Sequence, residues 1–255
     1  MSKTIVEAKV IGQKILSTDV KLIDVYAPEI AAQAQPGQFV NVCVSSQMAP
    51  LLRRPLGIAV VNVQTGVITM IYRILGEATQ LLANACSGDV LSIIGPLGHG
   101  FDLTAQRPLL IGGGLGLAPL VYLAQSFCPQ PVEVLMGGRT DKELFWTEIY
   151  TDLCEALHIT TDDGSQGTKG TVLALLPELL QQGHYDCVYV CGPEPMMKAV
   201  AQVAQAQGVP CQVSLEKYMA CGVGACLSCS CGGVHKRLKV CTDGPVFWAQ
   251  EVTEW

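Results

Sequence analysis

The sequence has little positive charge. Its 16 Lys and Arg stand against 22 Asp and Glu, a formal net charge of −6. A nucleic-acid surface would be basic, so that class of partner is not expected. Charge of either sign is scarce, 15% of residues against 49% hydrophobic, which excludes a disordered chain. Residues 1–7 lack an apolar core behind a basic flank, so no secretion signal is expected and the chain is read as cytoplasmic. There is no internal repeat and no low-complexity linker. One run, residues 108–124, is apolar enough to raise a membrane span, but it holds Gly112, Gly113, Gly114, Gly116 and Pro119. It reads as strand, tight loop and buried helix, and no membrane partner is expected. No side chain stands out as a catalytic acid or base.

What is present organises the 255 residues into two domains with a small appendage. Up to about residue 100, short runs rich in Val and Ile occupy 6–16, 20–26, 39–44, 57–63, 67–75 and 90–94. Pro36-Gly37, Gln64-Thr65-Gly66 and Ser87-Gly88-Asp89 punctuate them, the pattern of a small antiparallel barrel with one helical insertion at 77–85. Beyond residue 107, strands at 109–111, 132–136, 158–161, 188–190 and 212–215 alternate with helices at 118–127, 143–157, 172–182 and 194–207. That alternation predicts a parallel sheet covered on both faces. From residue 216 the composition shifts to Cys and Gly.

The 12 cysteines carry the strongest signal. Without a secretion signal they are expected as thiols or metal ligands, not disulfides. Seven are scattered through apolar segments and read as small buried hydrophobes. The other five crowd into 221–241. Cys221, Cys226 and Cys229, with Cys241 from a returning strand at 237–240, give C-x4-C-x2-C…C, the spacing of a plant-type [2Fe–2S] site. Three thiolates converging from one short loop demand tight turns, which Gly222 and Gly224 permit while letting main-chain N–H groups approach the sulfurs. A structural zinc would also take four cysteines, although it favours paired C-x2-C knuckles. Cys231 is an alternative to Cys229 that the register disfavours.

Two further patterns point to nucleotide cofactors. Arg53-Arg54-Pro55-Leu56-Gly57 opens a barrel strand, where a fixed cation and free main-chain donors can meet a flavin. Downstream, Ile71-Tyr72-Arg73 closes a strand, and Gly76, Ala78 and Thr79 begin a helix whose orphan N–H groups and hydroxyl suit a pyrophosphate. The plain alternatives are a surface turn and a helix cap. Residues 109–119 then read strand, glycine turn, helix, with Gly113, Gly114 and Gly116 letting a cofactor approach the backbone at a strand's carboxyl end. Pro119 takes the place of the last glycine of G-x-G-x-x-G. Cys191, Gly192 and Pro193 supply a second loop at the same sheet edge, which suits a nicotinamide. Met196 and Met197 are expected in helix core.

The barrel with R-P-x-small, the loop G-G-G-x-G-x-A-P and the later C-G-P-x-x-M together resemble the ferredoxin reductase superfamily of flavoproteins. The run E-K-Y-M-A-C-G-V-G-A-C-L-S-C at 216–229, followed by V-C-T-D-G-P-V-F at 240–247, resembles the electron transfer subunits of type B dihydroorotate dehydrogenases. That resemblance implies an FAD-binding barrel over 1–102, an NAD-binding α/β domain over 103–215 and a [2Fe–2S] domain over 216–255. It implies that electrons pass between NAD(H), FAD and the cluster, and on to the FMN of a separate catalytic subunit, in a heterotetramer of two subunits of each kind. The reaction served is the interconversion of dihydroorotate and orotate in pyrimidine synthesis. Arg54, Pro55, Leu56, Gly57, Ile71, Tyr72, Arg73, Ala78 and Thr79 would line the FAD. Members commonly carry Ser where this chain has Gly57, which removes a hydroxyl near the flavin. The alternative is the flavin and iron–sulfur subunit of another NAD(P)H-linked oxidoreductase, such as sulfide dehydrogenase or ferredoxin:NADP oxidoreductase. Arg139, after the second strand, is read as a solvated side chain in preference to a 2′-phosphate ligand.

Overall fold

The computed structural model describes residues 3–45, 47 and 49–255; Met1 and Ser2, the head of the stretch read for a secretion signal, lie outside the described residues. The chain divides into two compact units. The first runs to Gly100 and takes in Glu216–Ser230 and Lys239–Pro245; the second comprises Phe101–Leu215, Cys231–Leu238 and Val246–Trp255.

The first unit is built on a closed barrel. Its strands are β1 (Thr4–Ile15), β2 (Val20–Tyr26), β3 (Phe39–Cys43), β4 (Arg54–Asn62), β5 (Val67–Arg73) and β6 (Val90–Leu97), ordered β1-β2-β5-β4-β3-β6 and antiparallel throughout. Alternation selects the inner face: along β1, Val6, Ala8 and Val10 are buried while Ile5, Glu7, Lys9 and Ile11 face out. Ile23, Ile58, Ile68, Met70 and Ile93 fill the interior. A short helix, α1 (Pro28–Ala31), follows β2, and α2 (Glu77–Ala83) is the expected insertion. Lys21 Nζ donates to the Ala83 carbonyl at 2.6 Å and Gln13 Nε2 to the carbonyls of Leu82 and Ala85 at 2.9 and 2.7 Å. These donors satisfy the last carbonyls of α2 and hold its other end in place.

The second unit is a seven-stranded sheet. It contains β7 (Pro108–Gly113), β8 (Glu133–Gly138), β9 (Ala156–Thr161), β10 (Thr168–Lys169), β11 (Cys187–Cys191), β12 (Cys211–Ser214) and an edge strand at Val246–Trp248. The order is β10-β9-β8-β7-β11-β12 and then the edge strand, which alone runs antiparallel. β7 and β11 are buried at every residue, as strands covered on both faces must be. The helices are α3 (Leu117–Phe127), α4 (Thr147–Thr151), α5 (Leu176–Gly183) and α6 (Glu194–Ala206). Among the described residues no helix is long and apolar enough to cross a membrane. After β12 come β13 (Ser230–Gly233), β14 (Arg237–Lys239), the edge strand, now β15, and β16 (Val252–Glu254); β14, β13 and β16 make a small three-stranded sheet.

Two expected helices are corrected. The span 143–157 is not one helix: α4 covers five residues, and Ala156 and Leu157 already pair with Glu133 and Val134 in the sheet. Ladder hydrogen bonds and burial there outweigh a helix-compatible composition. The span 172–182 is a 3₁₀ turn at Val172–Ala174 followed by α5, with Pro177 in the first turn, where its missing N–H does no harm.

At the amino-terminal edge of this sheet, Glu133 meets His158 Nε2 at 2.8 Å and Arg107 Nη2 at 3.7 Å. Burial alone would raise the Glu133 carboxyl. Hydrogen bonds with His158 and Tyr185, and the charges of His158 and Arg107, win and hold it below the usual carboxylate range. A carboxyl lowered by folding adds stability above its unfolded pKa, and that stability is lost as pH falls through the folded value. Glu133→Gln therefore lowers the melting temperature at pH 7, and the gap to wild type closes on acidification below about pH 4, as thermal melts across a pH series will show.

Candidate functional site

The four expected thiols all lie in the first unit. Cys221 is half-buried, Cys226 exposed, and Cys229 and Cys241 buried. The loop between them needs left-handed backbone at Gly222 (φ 68°), Gly224 (φ 88°) and Leu227 (φ 63°). At Gly222 a side chain would also run into the amide of Asn41, a residue of β3 that is 1% exposed and donates from Nδ2 to the Cys221 carbonyl at 3.3 Å. On the returning segment, the N–H groups of Thr242 and Asp243 donate to the Lys239 carbonyl at 3.0 and 2.7 Å. Lys239 N–H in turn donates to Asp243 Oδ2 at 2.7 Å. This turn presents Cys241, and Val240 N–H donates to the Cys229 carbonyl at 3.1 Å, joining the two segments.

The thiols meet as two pairs. Cys226 neighbours Cys221, and Cys241 neighbours Cys229. Main-chain N–H groups point at the sulfurs: Val223 at Cys221 (3.4 Å), Cys241 at Cys229 (3.5 Å) and Gly224 at Cys241. Hydrogen bonds from Ser228, then from Cys221, lower the exposed Cys226 thiol to about 6. Burial pushes Cys241 up to about 12, with the Cys229 thiol adding to the rise. Among the described residues no three His, Cys, Asp or Glu side chains close around one point as a ready cage for a single ion. Four soft thiols in two pairs, surrounded by N–H donors, are a donor set that fits a two-iron cluster, which takes four thiolates. Cys231 lies on β13, in the second unit.

The flavin motif lies on the same barrel. The two arginines differ in use. Arg53 reaches across to β6, donating to the Ser92 carbonyl at 2.6 Å and the Ser92 hydroxyl at 3.0 Å. Arg54 donates to the main-chain carbonyls of Leu52 (2.6 Å) and Arg53 (3.4 Å), neither of them anionic. Pro55 and Gly57 are half-buried and Leu56 is buried. Ile71 is buried too, and Arg73 pairs with Asp19 at 3.0 Å. Tyr72 turns into the barrel, 1% exposed, with its hydroxyl donating to Gln13 Oε1 at 2.7 Å. Its side chain is therefore committed to the barrel. Thr79 Oγ1 accepts from the N–H groups of Leu75 (2.9 Å) and Gly76 (3.1 Å) and donates to the Gly76 carbonyl (3.0 Å). The hydroxyl caps α2, beside buried Ala78, and what remains for an anion is main-chain N–H.

In the second unit the two glycine loops are packed on each other. Gly114 is left-handed (φ 55°), and a side chain at Gly116 would collide with the Cys191 carbonyl and Gly192. Gly113 and Gly192 both lie against Met196. Met197 is core, as expected; Met196 is not, being half-buried over the loops next to exposed Pro193. Arg139 is tied to Glu143 through both side chain and main-chain N–H, on an exposed surface.

Residues 216–253 match the family described as the iron–sulfur cluster binding domain of dihydroorotate dehydrogenase B, and residues 110–202 match the oxidoreductase NAD-binding domain. The chain is 42% identical over 224 residues to the electron transfer subunit of dihydroorotate dehydrogenase B (NAD(+)) of Caldanaerobacter subterraneus subsp. tengcongensis, covering 85% of this chain and 86% of that one. The subunit of the same name from Desulforamulus reducens is 37% identical over 260 residues, 99% of each chain. Among solved structures, an NADH-dependent reduced ferredoxin-NADP oxidoreductase, described for flavin-based electron bifurcation, superposes with TM-score 0.87. It is 28% identical and covers 98% of this chain and 90% of that one.

The two extreme thiols give a direct test. In metal-free protein at pH 7, iodoacetamide will modify Cys226 well before Cys229 or Cys241, and its rate will fall as the pH drops through about 6. Peptide mapping by mass spectrometry reads both.

Proposed function

Because the chain belongs to the family of electron transfer subunits of dihydroorotate dehydrogenase B, we propose that it carries electrons between NAD(H) and a catalytic partner that interconverts dihydroorotate and orotate. One observation carries the reading. Asn41 lies opposite Pro55 in the β3–β4 ladder and donates to the Cys221 carbonyl, so the flavin motif and the first cluster thiol are separated by a single buried residue.

Bound FAD, a [2Fe–2S] cluster and NAD(H) supply the exchange of a hydride for single electrons. The residues do the holding. Cys221, Cys226, Cys229 and Cys241 take the cluster, with Cys231 a spectator. Arg54 offers the fixed cation to the FAD, and Pro55, Leu56 and Gly57 its edge. Ile71, Tyr72 and Arg73 contribute backbone, and the N–H groups around Gly76, Ala78 and Thr79 receive the pyrophosphate. Gly113, Gly114 and Gly116, with Cys191, Gly192 and Pro193, admit the nicotinamide nucleotide at the carboxyl edge of the sheet. No proton donor is required, since hydride and electron transfer belong to the cofactors.

By role, the chain divides into 1–102 for flavin, 103–215 for nicotinamide and 216–255 for the cluster. The partner holds FMN, the assembly is a heterotetramer of two subunits of each kind, and the location is the cytoplasm. The relatives at 37–42% identity support this reading over that of a ferredoxin:NADP oxidoreductase subunit, whose structural likeness stands at 28%.

Anaerobically purified protein is expected to hold about one FAD and two irons per chain and to bleach with NADH. With the catalytic partner it will drive NADH-dependent reduction of orotate. Cys241→Ser removes most of the iron and leaves the flavin. Arg54→Ala leaves the iron and weakens FAD about 10- to 100-fold, the range of one charge-assisted hydrogen bond. Wild-type protein that binds neither iron nor flavin overturns the assignment.

A further inference from the structure

Thr242 follows the last of the four cysteines, and its hydroxyl oxygen is buried without a hydrogen-bond partner. A buried hydroxyl left unmatched is unfavourable, and it calls for a partner that arrives later. Three facts locate that partner. The main-chain N–H of Thr242 is already engaged with the Lys239 carbonyl, so only the side chain is available. A side chain on Gly224 would strike the Thr242 methyl and come close to its hydroxyl, while the Gly224 N–H donates to Cys241. Thr242 thus packs against the residue whose N–H points at Cys241. The other unmatched atom near the loop, Asn41 Oδ1, can only accept and would be repelled by anionic sulfur. Thr242 is a donor. It also borders a cavity of about 260 Å³ shared with Cys241, Lys3 and His99, so a water is the competing partner.

We propose that Thr242 is a positioning residue for the redox centre, its hydroxyl donating a hydrogen bond to a sulfur of the iron–sulfur cluster and so favouring the reduced form. Reduction adds one negative charge, and a donor aimed at the sulfurs stabilises the more negative state. The hydroxyl raises the potential and draws the electron from the flavin toward the cluster. This inference rests on the function proposed above.

The test is an EPR-monitored redox titration of the iron-loaded holoprotein, wild type beside Thr242→Val, Thr242→Ala and Thr242→Ser, with iron, sulfide and FAD measured on each. In the valine and alanine variants the electron-sharing equilibrium between flavin and cluster shifts about tenfold away from the cluster. For a one-electron couple that is about 59 mV lower. The serine variant stays near wild type. Valine and alanine variants that keep their iron and titrate like wild type overturn the proposal and assign the hydroxyl to a water. A serine variant that falls as far as the other two, or loss of iron in valine and alanine variants, shows a packing role and overturns it as well. Absence of iron from the wild type would instead defeat the assignment of the cluster itself.

Discussion

The main chain at residue 222 can lie against strand β3 only because nothing projects from it. There the loop approaches the Asn41 amide so closely that even a methyl group would collide. The backbone is also left-handed at that point, so two separate demands select glycine. The rest of the thiol arrangement depends on this approach. It lets the amide of Asn41 reach the Cys221 carbonyl, and it lets the next turn carry Gly224 N–H to Cys241. Between Pro55 on β4 and the Cys221 carbonyl lies a single side chain, that of Asn41.

Features governed by local chemistry were legible in the sequence. The barrel strands announce themselves through alternation and turn residues, and β2 falls where its pattern places it. The spacing of Cys221, Cys226 and Cys229 requires a loop, and the loop requires its glycines. The glycine turn after β7 is equally explicit, since strand, turn and helix each carry their own mark.

What the sequence concealed depends on partners distant along the chain. Residues 143–157 have a composition that tolerates helix, but pairing with β8 claims their last two residues for the sheet. Tyr72 belongs to the flavin motif by position, yet strand parity turns its ring inward to Gln13. Met196 looks like its core neighbour Met197, and only the neighbouring glycine loops make it different. Asn41 sits in an otherwise apolar strand with no local mark, because its partner is 180 residues away. One signal was available there: an amide in the middle of a buried strand is unusual enough to ask what it holds.

The chain passes from one compact unit to the other five times, after residues 100, 215, 230, 238 and 245. The last cysteine is therefore carried on a short excursion, Lys239–Pro245, between segments that fold with the sheet. The residues grouped by role at the C-terminus are not grouped by packing. In the traffic of genes this matters: such a segment cannot be appended to a flavin reductase as a cassette, nor trimmed from this chain cleanly. Its gain or loss would touch residues of both units, since the cysteines fold with the barrel and the segments flanking Lys239–Pro245 fold with the sheet.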